Sequence, residues 1–301
     1  MIQVLGHKNP DSDSICSALS AEALLKDRGL DVKAVRQGEL NRETRFILEN
    51  AGVEAPEMCG KTAGEKIWLV DFSDQAQGPD DMADAEIVGL FDHHRLGDII
   101  TTLPPEIWVW PVGCSCTVIF NVYQIENRPI TKPIAMLMMS AILSDTVGFA
   151  SPTCTEKDKE AVKKLADIAG VTDLDGYIKK LLIAKTDIEG LSAAELVEKD
   201  LKAYPFAGRD VVVGQIELAT LEQVDGIIEE LEAELEARCA RDNLAFASIM
   251  LTDITTSTTR LLFKGEWAKK LDPFVVDGKL MMKSTLSRKK QGWPWLQSVL
   301  K

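Results

Sequence analysis

All three histidines of the chain lie beside aspartates, in two short segments. One is in HKNPDSD, residues 7–13, and two are in FDHHR, residues 91–95. Imidazole combined with carboxylate, without thiolate, suits manganese, magnesium, cobalt or iron better than a structural zinc bound by cysteines. Because the entire histidine content falls in these two acidic segments, their residue types predict a divalent-metal site.

Two further aspartates stand in comparable settings. Asp71 follows the apolar run KIWLV, and Asp145 lies in LSDT at the end of a largely apolar segment. A single aspartate in such a place is ordinarily a turn or helix-capping residue, and a histidine pair alone is ordinarily a surface feature. The joint pattern favours the metal interpretation, and its many carboxylates indicate two metals that share one of them. Paired metals are the usual device for displacement at phosphorus.

Apolar segments precede each of these polar clusters. Residues 3–6, 66–70 and 86–91 are short apolar runs that alternate with helical patterns, and residues 133–143 form a largely apolar helix. Near-continuous apolar strands alternating with helices predict a parallel sheet covered on both faces. Ligands of such sheets collect beyond the carboxyl ends of the strands, so we expect residues distant in sequence to meet in one cleft.

The composition changes after a short polar segment, and we expect two domains. The predicted fold class is α/β, with an N-terminal doubly wound, mainly parallel sheet domain and a smaller mixed-sheet α/β C-terminal domain. The expected bounds are 1–187 for the first domain, 188–195 for a linker and 196–301 for the second domain. The second domain is predicted to contain strands at 211–218, 245–252 and 259–263, another near 279–286, and an acidic helix over 221–239.

A basic run, SRKKQ at residues 287–291, directly follows the last predicted strand. In isolation such a run is usually a solvated surface patch, but here it supplies three consecutive cations in a chain of net charge −13. Arginine and lysine side chains aimed at a cleft bind phosphate oxygens. Lys202 is a weaker candidate of the same kind, because a single lysine is most often an ordinary surface residue.

The overall composition argues against several classes of function. A net charge of −13 over 301 residues disfavours general binding to nucleic acid or to anionic membranes. No apolar run approaches the roughly 18–20 residues of a membrane span, and the N-terminal segment lacks the basic region of a secretory signal. The six cysteines form no CxxC pair, so we expect reduced thiols in a cytoplasmic protein.

The motifs GHKNPDSDS, the strand end at Asp71, FDHHR, LSDT and SRKKQ, in this order, resemble those of family II inorganic pyrophosphatases. These are the manganese-dependent members of the DHH phosphoesterase superfamily. The resemblance covers nearly the whole chain. It implies hydrolysis of pyrophosphate to two orthophosphates by a two-metal-activated water at the interface of two domains, the second of which binds substrate. It also implies two manganese ions, with cobalt as an alternative, magnesium accompanying the substrate, and a homodimer formed through the N-terminal domain.

The resemblance also implies a role for particular residues. One metal would be held by His7, Asp11 and Asp71, and the other by Asp13, Asp71, His93 and Asp145, so that Asp71 bridges the two. His94 resembles a histidine that contacts the phosphate and can act as an acid, with Asp92 orienting the histidine pair. The phosphate-binding cations would be Lys202, Arg288 and Lys289.

The chain departs from the family pattern directly after Asp71. Many members have His-Asn-Glu there, whereas this chain has Phe72-Ser73-Asp74. The replaced histidine is not among the six implied ligands, so the departure bears on metal preference or rate. The alternative function is that of another DHH phosphoesterase, acting on short polyphosphate or oligonucleotides. The DHH phosphoesterases that cleave oligonucleotides generally carry a histidine in a glycine-rich C-terminal motif. The C-terminal region of this chain has no histidine.

Overall fold

The computed structural model describes all 301 residues, which divide into two compact units, Met1–Lys185 and Thr186–Lys301. The predicted domain bounds differ slightly, since 186 and 187 lie in the second unit. None of the helices has the length and apolar character needed to cross a bilayer.

The first unit is built on a six-stranded sheet in which all the strand pairs are parallel, in the order β3-β2-β1-β4-β5-β6. The order reverses between β1 and β4, and the carboxyl ends beside such a reversal are where ligands of open α/β sheets bind. The strands are β1 Ile2–Leu5, β2 Val32–Arg36, β3 Glu57–Met58, β4 Lys66–Val70, β5 Glu86–Asp92 and β6 Glu106–Val109. The helices are α1 Ser12–Asp27, α2 Arg42–Ala51, α3 Ser115–Ile125, α4 Lys132–Asp145, α5 Glu156–Ala169 and α6 Leu174–Lys185.

Alternate residues of the buried strands enter two different apolar clusters, as the pleat of a strand requires. Val4 and Val70 join a large cluster that contains apolar side chains from all six helices. Leu5 and Leu69 face the opposite side, where Phe72, Met82 and other residues of the loops between the strands cover the sheet. Both faces are therefore buried, which explains why the strands read as continuous apolar runs.

The second unit contains a five-stranded mixed sheet in the order β11-β10-β9-β8-β7. The pair β8–β9 is parallel and the other pairs are antiparallel. The sheet separates two apolar clusters, one with α8 and the other with α9. The elements are α7 Ala193–Glu198, β7 Leu201–Phe206, β8 Arg209–Leu218, α8 Ile228–Arg241, β9 Phe246–Asp253, β10 Thr258–Lys264, β11 Leu280–Lys283 and α9 Trp293–Val299. The predicted α/β fold class is confirmed in both units.

Several elements differ from the sequence prediction. The helix expected over 221–239 is a 3₁₀ turn at Leu221–Val224 followed by α8, with Gly226 between them. Five elements were not predicted from the sequence: β3, α6, α7, β7 and α9. Of these, α7 begins inside the segment expected to be a linker, because Ser192 and Glu195 form a capping box there.

Candidate metal centre

The first histidine is placed by a close approach between β1 and α1. A side chain at Gly6 would put its Cβ 1.9 Å from Ser14 Oγ and 3.0 Å from Ser14 Cα, so only glycine fits there. The chain then passes through His7 and enters α1 at its N-cap, Asp11, whose carboxylate accepts a hydrogen bond from Ser14 N at 2.9 Å. Asp13 follows in the first turn and is completely buried.

Asp71 occupies a strained backbone position at the end of β4. Its φ is +67°, in the left-handed region that aspartate and asparagine tolerate better than most residues, and its side chain is 2% exposed. The two carboxylate oxygens face different imidazoles: Oδ2 lies 3.4 Å from His7 Nε2, and Oδ1 lies 3.4 Å from His93 Nε2. One buried carboxylate thus joins two histidines that are 86 positions apart.

The structure brings the six predicted metal ligands together. In each of two groups, the ligand atoms lie within 4.8 Å of one another: His7, Asp11 and Asp71 form one, and Asp13, His93 and Asp145 form the other. His93 Nε2 is 3.8 Å from both Asp13 Oδ2 and Asp145 Oδ2. A third group consists of Asp71, His93 and His94. These three groups use only oxygen and imidazole nitrogen donors. A fourth group brings the thiols of Cys114 and Cys116 to Asp13, and burial raises the pKa of both thiols.

The N-terminus of α3 holds two of these carboxylates, which the sequence analysis did not foresee. Ser115 N donates to Asp13 Oδ2 at 2.6 Å, and Cys116 N donates to Asp13 Oδ1 at 3.2 Å. Ser115 Oγ donates to Asp71 Oδ1 at 3.1 Å. Free N–H groups at a helix start attract anions. The available signal for this contact was the run Gly113-Cys114-Ser115, whose glycine and small residues are typical of a tight helix start.

Asp92 fixes the orientation of the histidine pair. Its Oδ1 accepts hydrogen bonds from His93 N at 2.8 Å, from His94 N at 3.0 Å and from His94 Nδ1 at 3.0 Å. His93 Nδ1 lies 3.1 Å from the carbonyl oxygen of Val112. A proton on that Nδ1 would leave the lone pair of Nε2 directed at Asp71, which is the arrangement typical of a metal-binding imidazole.

The buried carboxylates carry more negative charge than their surroundings favour. Burial, followed by the charge of Asp13, raises the pKa of Asp71 to about 6. Burial and the charges of Asp13 and Asp11 raise the pKa of Asp145 well above its usual range. Burial also opposes ionisation of Asp13, but the positive charge of His93 and several hydrogen bonds lower its pKa to about 2. The cluster therefore requires positive charge close by.

In the metal-free chain, protons on the imidazoles supply that charge. Burial lowers the pKa of His7, but its contacts with Asp11 and Asp71 outweigh burial and bring the pKa to about 10. Burial likewise lowers the pKa of His93, and its contacts with Asp71 and Asp13 bring it to about 9. Divalent cations in place of these protons would neutralise the same carboxylates, so the donor set fits manganese.

A cleft of about 320 Å³ opens beside these residues. At the point of departure from the family pattern, Phe72 is buried in the apolar cluster, and Ser73 Oγ accepts a hydrogen bond from Gly97 N at 2.8 Å. Arg95 also lines the cleft, although the sequence analysis gave it no role. The lining residues are His7, Asp11, Asp71, Phe72, Ser73, Asp74, Gln77, His94 and Arg95.

The three predicted phosphate-binding cations belong to the second unit. Lys202 is exposed on β7, and Arg288 and Lys289 open a π-helical turn at Arg288–Gly292. Arg288 is largely buried and forms an ion pair with Asp200, in which Nη1 lies 2.7 Å from Oδ2.

Comparison with known proteins agrees with this architecture. Residues 1–142 match the DHH family, N-terminal domain, and residues 179–299 match the DHHA2 domain. The chain is 38% identical over 307 residues to a manganese-dependent inorganic pyrophosphatase of Methanothrix thermoacetophila, covering 100% of this chain and 98% of the relative. It is 35% identical over 306 residues to a Bacillus licheniformis protein described as a probable manganese-dependent inorganic pyrophosphatase, covering 100% and 99%.

A solved structure gives the same result. The crystal structure described as a putative family II inorganic pyrophosphatase of Methanococcus jannaschii matches with a TM-score of 0.66 and 34% identity, covering 100% of this chain and 99% of that one. Both domain models, full-length relatives and a full-length structure therefore point to one family. The chain belongs to the manganese-dependent, family II inorganic pyrophosphatases of the DHH family.

Proposed function

We propose that the chain hydrolyses inorganic pyrophosphate to two orthophosphates with manganese as its cofactor. The observation that carries this proposal is the position of Asp71, whose two oxygens face two separate imidazole–carboxylate groups. A shared carboxylate between two ligand groups is typical of paired metal ions, and paired ions suit displacement at phosphorus. The relatives named for this activity support the choice of substrate.

Two manganese ions are proposed, with cobalt as an alternative. When bound, such ions lower the pKa of water and offset the charge that develops on phosphoryl oxygens. The proposed ligands are His7, Asp11 and Asp71 for one ion and Asp13, Asp71, His93 and Asp145 for the other.

His94 is proposed to donate a proton to the leaving phosphate from Nε2. Its Nδ1 lies 3.0 Å from Asp92 Oδ1, which leaves Nε2 as the ring nitrogen available to a ligand in the cleft that His94 lines. The hydrogen bond to Asp92 raises the pKa of His94, so the protonated form is favoured. A positioned acid of this kind typically contributes about 10²–10⁴-fold to the rate.

Lys202, Arg288 and Lys289 are proposed to bind the phosphate oxygens of the substrate, which would arrive with magnesium. Arginine offers parallel donors and lysine a compact positive charge, and both stabilise the charge of a phosphoryl group during transfer. These cations are supplied by an otherwise acidic chain of net charge −13, which supports a specific role for them.

We propose that the protein is cytoplasmic and that two copies form a homodimer through the first unit. Strand β6 is at the edge of its sheet, with one side of its backbone unpaired, and an unpaired edge is a template for another chain. The neighbouring sequence also exposes large apolar side chains, which a second copy of this chain would cover: Leu96, Ile100, Leu103 and Ile107.

The activity is tested by removing metal with a chelator and reloading separate samples with manganese, cobalt, magnesium and zinc. Phosphate release is then measured from pyrophosphate and tripolyphosphate, and mononucleotide release is measured from a dinucleotide. We expect manganese to restore the highest activity and pyrophosphate to be the preferred substrate. Preferential cleavage of the dinucleotide or of tripolyphosphate would instead assign the chain to the other DHH phosphoesterases.

A further inference from the structure

We propose that Asp200 is a positioning residue that presents Arg288 to the substrate phosphate. This inference rests on the proposed function of Arg288 as a phosphate ligand. All the groups involved belong to the second unit, and Asp200 lies directly before β7, two positions from Lys202.

The carboxylate of Asp200 holds one edge of the Arg288 guanidinium. Arg288 Nη1 lies 2.7 Å from Asp200 Oδ2, and Nη2 donates to Oδ1 at 3.1 Å. Nη1 also donates to the main-chain oxygen of Asp200. Two parallel contacts between a guanidinium and a carboxylate fix the plane of the guanidinium as well as its place. The arginine side chain is only 12% exposed, whereas that of Asp200 is 46% exposed.

The adjacent edge of the same guanidinium carries a donor that has no acceptor. Arg288 Nε is buried and has no hydrogen-bond partner. Asp200 uses both Nη atoms on the far edge, so Nε and the second hydrogen of Nη2 remain as a matched pair of donors. A donor that is already removed from water loses no hydration when it binds an oxygen, which strengthens its contact with a charged ligand. Phosphate oxygens suit such a pair.

The strand register relates Asp200 to a second cation. Asp200 O accepts a hydrogen bond from Gln215 N at 3.3 Å, so the backbone of Asp200 already pairs with β8. Lys202 pairs with Val213, and the Asp200–Gln215 contact continues this ladder beyond the end of β7. Positions two apart in such a ladder share a face of the sheet, which puts Asp200 on the same face as Lys202. The carboxylate thus draws Arg288 to the face that carries Lys202.

The backbone of the SRKKQ turn is held by other residues and does not depend on Asp200. Gln215 Oε1 accepts from Arg288 N at 3.1 Å, and Gln215 Nε2 donates to Leu286 O at 2.8 Å. Within the turn, Gln291 Oε1 accepts from the backbone N–H groups of Leu286 and Ser287 at 2.9 and 3.0 Å. Replacing Asp200 should therefore loosen the guanidinium, which keeps only its contact with the main-chain oxygen of residue 200, and leave the turn in place.

The test is a double-mutant cycle on the manganese-loaded full chain, with Asp200→Asn, Arg288→Ala and the double variant. We expect Asp200→Asn to lower kcat/KM for pyrophosphate about tenfold, less than the 10²–10³ typical of removing a transition-state donor such as Arg288. If Asp200 acts only through Arg288, the double variant should be no slower than Arg288→Ala alone. Manganese affinity and the melting temperature should stay near those of the parent.

Glu232→Gln is the matched control, since it removes a carboxylate that pairs with Lys264 at 2.9 Å in the same unit, and its kinetics should equal those of the parent. Additive losses in the double variant, or unchanged kinetics in Asp200→Asn, would overturn the proposal. A lower KM in Asp200→Asn would also overturn it, because Asp200 would then compete with the substrate. Asp200→Ser serves as a second variant should Asp200→Asn fold poorly.

A parent enzyme without pyrophosphatase activity would refute the proposed function instead. In that case the same cycle, run on whichever phosphate substrate the parent cleaves, would still decide the role of Asp200.

Discussion

At the scale of single residues, the centre depends most on Asp71, because one carboxylate serves two ligand groups. Asp71→Asn keeps the shape of the side chain and suits the left-handed backbone, yet it removes the shared charge. We expect the affinity of both manganese sites to fall together. The loss should exceed the roughly 10–100-fold that is typical of removing a hydrogen-bond partner of a metal ligand. Titration of manganese into the chelated variant would measure this loss.

Asp13→Asn is the comparison, because Asp13 belongs to only one of the two groups that would hold manganese. It should mainly weaken a single site. Equal losses at one site in both variants would exclude a bridging role for Asp71.

Manganese binding should release protons and become tighter as the pH rises. At pH 7 the metal-free chain keeps His7 and His93 protonated, since their pKa values are about 10 and about 9. A ligand imidazole must be neutral, so metal and protons compete. Calorimetric titrations in buffers of different ionisation enthalpy would count the released protons. Heats that do not depend on the buffer would contradict this expectation.

The same two pKa values give the opposite pH dependence for the stability of the metal-free fold. Both are raised above the ordinary value of 6.5, so their contribution is complete below that pH and disappears as the pH rises through about 9–10. Urea unfolding of chelated protein should therefore show declining stability over this range.

At the scale of elements, Asp158 joins two helices. It accepts hydrogen bonds from Thr155 N and Oγ1, both at 2.7 Å, to start α5. It also accepts from Gly113 N at 2.9 Å and from Thr117 Oγ1 at 2.6 Å, which holds the start of α3. Because α3 in turn donates to Asp13, the capping residue of one helix supports the metal centre through another.

Asp158→Ala should lower the free energy of unfolding by about 2–5 kcal/mol, because several buried donors lose their acceptor. Urea unfolding of the metal-free protein would measure this. Glu156→Ala, which removes an exposed carboxylate from the same helix turn, should cost less than about 1 kcal/mol. Equal effects for the two variants would contradict the role given to Asp158.

One half of this arrangement is local in sequence. Thr155 and Asp158 have the spacing of a capping box, which the structure contains, and α5 ends at Gly170 in the left-handed conformation. The contact from Asp158 to Gly113 spans 45 positions and depends on how two helices pack, which local spacing does not reveal. The same reason explains why Ser115 was overlooked.

The strand ends show why the clustering of these polar residues was easier to predict. His7, Asp71 and His93 each follow an apolar run, and parallel strands bring such ends to one edge whatever the packing details. By contrast, β7 is a partly exposed strand with Pro205 inside it, so its sequence carried neither an apolar run nor a clear alternation.

At the scale of the whole molecule, the proposed dimer depends on the edge of the first sheet. Ile107 on β6 is 47% exposed, and Ile107→Lys would place a charge where a second chain would pair. We expect this variant to sediment as a monomer at concentrations where the parent is a dimer. Ile168→Lys, on the exposed surface of α5, should leave the association unchanged. Dimers of undiminished stability in Ile107→Lys would place the interface elsewhere.

The left-handed backbone at Asp71 also limits which substitutions at this position leave the fold intact. Glycine, asparagine and aspartate are the residues that accept such a conformation at little cost, and the codons of asparagine and of glycine each differ from an aspartate codon by a single base. Of the three, only aspartate brings a negative charge to the two proposed metal ions. Inactive descendants of this gene can therefore arise in one step without loss of the fold, so a relative with asparagine or glycine at this position would be expected to fold normally while binding manganese poorly.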